Sequence, residues 1–333
     1  MSTQRPSVIN QPVQPLEDYG FFGPNSPTWR VWSYPTALTV GFQRSVVVEE
    51  LDPSLLAAVN SRRGIYTNPK LRYDRTIKYF ATIAIGDARS AIQASEFLMK
   101  VHAKAVGIEP VSGKRFDANN PDSQLWIHMT GWHSVLKAYE MYGPGKLSPA
   151  DEARYWEECA IAAELQTCDP DDVPRTREGV KQYFAAMRPR LAASELTQST
   201  MKYLLDASSV VIDDKTASTL RPVFKSLAHM MRAATIATMP LYMRELAGIY
   251  QSPAVDFAIV APMRAAMRIL ATGKGTLALV DLITPLTRPI IEPKVRGIKP
   301  RNPITLTPTE ARAQYGTLTP REIHQRILHG EKA

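Results

Sequence analysis

At 333 residues, with 44% hydrophobic and 22% charged content, the chain has an ordinary globular composition and is long enough to enclose a large core or a cofactor. Its two cysteines, Cys159 and Cys168, fit neither a disulfide framework nor a zinc cluster, which leaves a reduced, cytoplasmic protein as the expectation. The net charge of +8 is not laid out as a basic stripe with interleaved aromatics, so no nucleic-acid partner is expected.

Residues 1–19 form a polar leader without the apolar core of a signal peptide. No later run reaches the roughly 18 uninterrupted apolar residues of a membrane span, although peripheral membrane contact stays open. In "GFFGPNSPTWRVW", Gly23-Pro24 breaks the backbone and Asn25, Ser26 or Thr28 can cap a helix. The next stretch, "ALTVGFQRSVVVEELDPSLLAAVNSRRG", reads as one helix by its apolar spacing, against the strand preference of Val46, Val47 and Val48. "DRTIKYFATIAIGDARSAIQASEFLMKVHAKAVGIEP" gives two helices parted near Gly86-Asp87, with Asp87 as N-cap of the second.

The segment "DSQLWIHMTGWHSVLKAYEMYG" is a long helix, with Asn119, Asn120 or Asp122 near its start and Pro121 suited to its first turn. Ser148 before Pro149, followed by acids, opens another helix. Further helices are expected over Arg177–Leu191, Glu195–Asp206, Thr216–Thr238, Leu241–Tyr250 and Ser252–Thr272. Period-two strands and internal repeats are lacking, so the reading is an all-α fold with one large helical domain over residues 20–284. Residues 285–333 form a basic arm and tail; four prolines within "TRPIIEPKVRGIKPRNP" predict extended backbone packed across the protein.

Of the six histidines, two stand out. His128 shares a helix face with Gln124, Leu125, Gly131, Trp132, Val135 and Tyr139 and is predicted to point inward, whereas His133 is predicted to point outward. His102 lies on a face of small and apolar residues, Ala91, Ser95, Leu98, Met99, Ala105 and Val106, and is also predicted to be buried. A buried imidazole needs partners, and a satisfied core histidine is the plain alternative for either one.

No Glu-x-x-His pair for a di-iron bundle and no His-Glu-x-x-His helix occurs, and neither a Gly-x-Ser-x-Gly turn nor a dinucleotide or Walker loop is present. Haem asks for less: one imidazole, a broad apolar slot, and cations or hydroxyls for its propionates. Gly131, one turn past His128 and next to Trp132, would let a flat macrocycle approach the backbone. Arg30 is a candidate partner for a propionate or a carboxylate near the pocket, a surface ion pair being its alternative. Met230, Met231, Met239 and Met243 look like pliable lining for a core or an apolar substrate pocket.

The blocks "FFGPNSPTWRVW", "DRTIKYFATIAIGDARSAIQASEFLMKVHAKAVG", "FDANNPDSQLWIHMTGWHSVLKAYEMYG", "LSPADEARYWEE" and "MRP", in that order, resemble the MpaB-type oxygenases and latex clearing proteins over roughly Gly20 to Tyr250. The resemblance implies an all-α fold holding haem b, with the histidine of "LWIH", His128, as proximal iron ligand. It also implies an Arg-x-x-x-Thr/His element facing the haem, here ending in His102 with Leu98 in place of the arginine. Val101 stands where latex clearing proteins carry a distal lysine, so neither lysine ligation nor rubber cleavage is implied. The expected function is a haem b-dependent oxygenase using dioxygen on an apolar small molecule, with His102 on the distal side. Asp87 is then either a helix cap or a base that removes a proton from oxidised substrate. The alternative is a non-catalytic haem-binding or lipid-binding helical protein.

Overall fold

Helix starts are set by local chemistry. In the computed structural model, which describes residues 12–61, 64–212 and 216–330, side-chain oxygens sit where the sequence offers them at helix N-termini. Ser26 caps α1 (Pro27–Trp32), and α2 (Phe42–Val48) follows a wide turn over Ala37–Gly41. Asn68 caps α3 (Pro69–Ile85), and Asp87 caps α4 (Ala88–His102) by accepting from the Ser90 amide at 2.8 Å. Asn120 caps α5 (Pro121–Tyr142) and Ser148 caps α6 (Pro149–Ala163), each with proline in the first turn, where a missing N–H costs nothing. Thr176 caps α7 (Arg177–Met187), whereas α8 (Arg221–Thr238) starts without a side-chain cap. The first eleven residues of the leader lie outside the described residues.

The fold is mostly helical, and α5 is its axis. Trp126, His128, Met129, Trp132, Val135, Ala138 and Tyr142 are all buried, although they point in every direction around the helix. A helix apolar on all sides has to be surrounded. Three apolar clusters accordingly meet on it: one through Met129, Trp132 and Val135, a second through Trp126, and a third through Ala138 and Tyr142. The wide turn before α2 lies directly against α5. A Cβ on Gly41 would come within 3.0 Å of the Val135 Cα, so only glycine allows the approach.

Several boundaries differ from expectation. The predicted single helix after "WSYPT" is cut by Asp52, which accepts from the Leu55 amide and starts a new helix over Pro53–Ser61. The predicted helix over Ser252–Thr272 is two helices, Pro253–Ala258 and Val260–Leu270. A short antiparallel hairpin, Val106–Ile108 with Arg115–Asp117, joins α4 to α5. The largest correction concerns the basic arm, whose first part is helical, α9 (Arg288–Val295). Pro289 falls in the first turn, and Pro293 removes only one internal donor from a short helix braced by Arg288 and Arg296 on Glu292. Extended backbone begins after Gly297, and helices return at Pro308–Tyr315 and Pro320–Leu328.

That extended piece is stitched to the leader. The amides of Arg301, Asn302 and Leu306 donate to the carbonyls of Leu16, Glu17 and Gly20, and the Tyr19 amide donates to the Ile304 carbonyl. Buried Asp18 fixes the paired strip to α4, its Oδ1 accepting from Gly20 N at 2.7 Å and Ala88 N at 2.8 Å. Gly20 takes φ +64°, and a Cβ there would strike the Gly86 carbonyl oxygen at 2.2 Å. Asp18→Ala strands two buried donors and is expected to lower stability by about 3 kcal/mol in urea unfolding. The Asp87→Ala cap deletion should cost only about 1 kcal/mol.

Glu50, in the tight turn Glu49–Leu51, is buried with one carboxyl oxygen lacking any hydrogen-bond partner among the described residues. Burial, and then the neighbouring Glu49 charge, holds its carboxyl well above the usual range. Its proton is therefore kept in the folded protein and released from the unfolded chain above about pH 4.3. Stability from this group is complete below that pH and is lost as pH rises toward the folded value. Glu50→Gln should raise the melting temperature clearly at about pH 8 and little at about pH 4, and equal shifts at both would refute the assignment.

Candidate active site

Helix α5 brings His128 into the centre of the largest apolar cluster, where it is 1% exposed. Its Nε2 lies 2.7 Å from the carbonyl oxygen of Cys159 on α6 and 3.3 Å from that residue's Sγ. A carbonyl can only accept, so Nε2 carries the hydrogen and Nδ1 carries the lone pair. Nδ1 is buried with no hydrogen-bond partner among the described residues. Burial, only partly offset by the Cys159 carbonyl, pushes the imidazole down to about 4, so it is neutral at physiological pH. One nitrogen anchored on a main-chain carbonyl and the other bare is the arrangement of a metal-ligating histidine. In this respect the residue fits an iron ligand. Left without a ligand, the bare nitrogen would cost about 1–3 kcal/mol.

The surroundings fit the expected cradle less well. Trp132 is buried, with its ring centroid 5.7 Å from that of His128, and it packs on Trp32 and Tyr155 at 5.4 and 5.2 Å. Gly131 does not face an open slot. A Cβ there would meet the Phe80 ring at 3.4 Å and the Ser45 hydroxyl at 3.7 Å. Arg30 is on the surface, its side chain 46% exposed, and it grips Asp151 through both guanidinium nitrogens at 3.0 and 3.1 Å. Arg30 is therefore in the surface ion pair of its alternative reading rather than buried.

His102 is the last residue of α4 and is half-buried, less enclosed than its helical neighbours suggest. Its Nδ1 lies 3.3 Å from Nε2 of Gln124, which stands one turn before His128 on α5 and also donates to the Ala118 carbonyl. Leu98 is half-buried on the same helix as His102. The Asp87 carboxylate is engaged in capping α4. Among the described residues, no three histidine, cysteine or carboxylate side chains converge as a metal site.

The sequence reading missed His133. It is half-buried rather than outward, with its ring 4.9 Å from Phe184 and its Nδ1 3.4 Å from a guanidinium nitrogen of Arg44. Together with Arg44, Lys137, Trp156 and Met239 it lines an open cavity of about 700 Å³. The only warning in the sequence is Arg44 itself, a lone cation inside the apolar run "ALTVGFQRSVVV".

Among the described residues no helix is long and apolar enough to cross a membrane. No curated protein and no solved structure matches the chain. The family pattern described as "ER-bound oxygenase mpaB/B'/Rubber oxygenase, catalytic domain" does match, over residues 29–272, a span that runs from within α1 past α8 and holds both α4 and α5 with their histidines. The chain therefore belongs to the MpaB/rubber oxygenase family.

Proposed function

We propose that this oxygenase-family protein is a haem b-dependent enzyme acting on an apolar small molecule, with His128 as the protein ligand of iron. The observation that carries the proposal is the bare Nδ1 of His128, a neutral and fully buried donor held in one tautomer by the Cys159 carbonyl. Bound haem supplies a redox-active iron suited to dioxygen chemistry. The protein's part is to orient and to exclude water. Trp132 packs on the imidazole and is itself backed by Trp32 and Tyr155, and the Tyr155 hydroxyl donating to the Trp132 carbonyl at 2.9 Å ties α6 to α5 there.

His102 is proposed as the second residue of the site, acting on the distal side. The Gln124 amide donates to its Nδ1, which keeps the ring proton on Nε2. Asp87 is assigned to capping rather than to proton abstraction, because its carboxylate already accepts from the Ser90 amide. A reducing compartment such as the cytoplasm is supported by the protein's two free, buried cysteines. A non-catalytic binding protein is the second reading, favoured by the large part-apolar cavity beside His133.

An absorption spectrum of the purified protein tests the haem and its ligand. A Soret band lost in His128→Ala and kept in His133→Ala is expected, and a band that survives His128→Ala overturns the ligand assignment. For His102→Ala, a ferric low-spin to high-spin change indicates ligation by His102. An unchanged spin state with altered cyanide affinity indicates a distal hydrogen bond, and no change in either removes His102 from the site.

A further inference from the structure

The cavity beside His133 has an electrostatic feature that its oxygenase family does not explain. Arg44 on its wall is 1% exposed, and all of its contacts are neutral. A guanidinium nitrogen donates to the Ser134 hydroxyl at 2.6 Å and lies 3.4 Å from His133 Nδ1, and Nε donates to the Thr238 carbonyl at 3.4 Å. Burial lowers its pKa to about 10, which leaves it charged at neutral pH. One helical turn past His133, half-buried Lys137 lines the same cavity, its pKa lowered first by burial and then by the Arg44 charge.

The acids of the cavity are already engaged. Glu140 is held by Arg177, which also binds Glu152 at 2.6 Å, and Glu178 pairs with Lys181 at 3.1 Å. Among the described residues, neither Arg44 nor Lys137 has a carboxylate within ion-pair distance. A buried cation without a counter-charge is strongly unfavourable, so its retention on a cavity wall points to an anion that completes it from outside the chain. The rest of the wall is largely apolar, including Leu136, Trp156, Phe184, Met239 and Met243. Its volume of about 700 Å³ lies within the range of small-molecule sites.

We propose that this cavity binds an amphipathic small molecule with a carboxylate head, which pairs with Arg44 and Lys137 while its apolar body lies along Trp156, Phe184, Met239 and Met243. His133 sits beside the head. Because the Arg44 guanidinium can only donate, His133 Nδ1 is the acceptor and its Nε2 carries hydrogen, adding a third donor to a site selective for anions. The inference is independent of iron at His128, since it rests on Arg44, Lys137 and the cavity alone.

Titration calorimetry of the full chain with dodecanoate, dodecanol and acetate tests it without any need for haem. Dodecanoate is expected to bind at least about tenfold more tightly than dodecanol, and acetate far more weakly than either. Lys137→Met and Arg44→Met should each weaken dodecanoate about ten- to a hundredfold and leave dodecanol unchanged. Should Arg44→Met not fold, Lys137→Met decides alone. Failure to bind dodecanoate, equal affinity for dodecanol, acetate binding as strongly, or unchanged dodecanoate affinity in the folded variants would each overturn the proposal.

Discussion

The burial of α5 on nearly every side is the constraint on which the rest of the structure depends. A helix with Trp126, Met129, Trp132, Val135 and Tyr142 spread around its circumference has no solvent face, so other elements must cover every side. The three apolar clusters are the result, and they converge on this one element. The polar residues of α5 then have to find partners inside the protein. Thr130 returns its hydroxyl to the Trp126 carbonyl at 2.9 Å, Gln124 reaches Ala118 and His102, and Ser134 receives Arg44. Among the described residues, His128 is the one on α5 whose account stays incomplete, and the proposed iron ligation rests on that.

The same constraint explains why the two sides of α5 differ. Toward α6, His128 meets a neutral main-chain oxygen and the Trp132 ring, which Tyr155 backs. Toward α2 and α7, His133 meets a buried guanidinium and an open cavity. Five residues apart on one helix, the imidazoles are both forced neutral by burial, but positive neighbours depress only His133 further. One environment suits a metal ion of modest net charge, and the other suits an anion.

What the sequence made legible was mostly local. Ser26, Asp87, Asn120 and Ser148 announce their helices because a cap is an interaction between residues three apart. The inward direction of His128 was legible because its own helix face is apolar. His133 was misread because the same argument assumes an amphipathic helix, and α5 is not one. The surface position of Arg30 depends on Asp151, which lies 121 residues away in sequence. The cavity assembles from α2, α5, α6, α7, the end of α8 and the segment after it, a juxtaposition that no local pattern encodes. The helix at Arg288–Val295 was missed because proline counts outweighed proline positions.

The strip in which residues 301–306 pair with residues 16–20 has a consequence for how the protein is made. These partners lie about 285 residues apart, so their contact can form only after the long intervening chain has left the ribosome. Until then the leader has Asp18 to hold it against α4, through a single buried carboxylate oxygen. Closing a loop of that length carries an entropic penalty that grows only slowly with length, so the delay, more than the equilibrium cost, is what the nascent chain experiences. During that interval the unpaired backbone of the leader is open to chaperones, to proteases and to the same segment of a second chain.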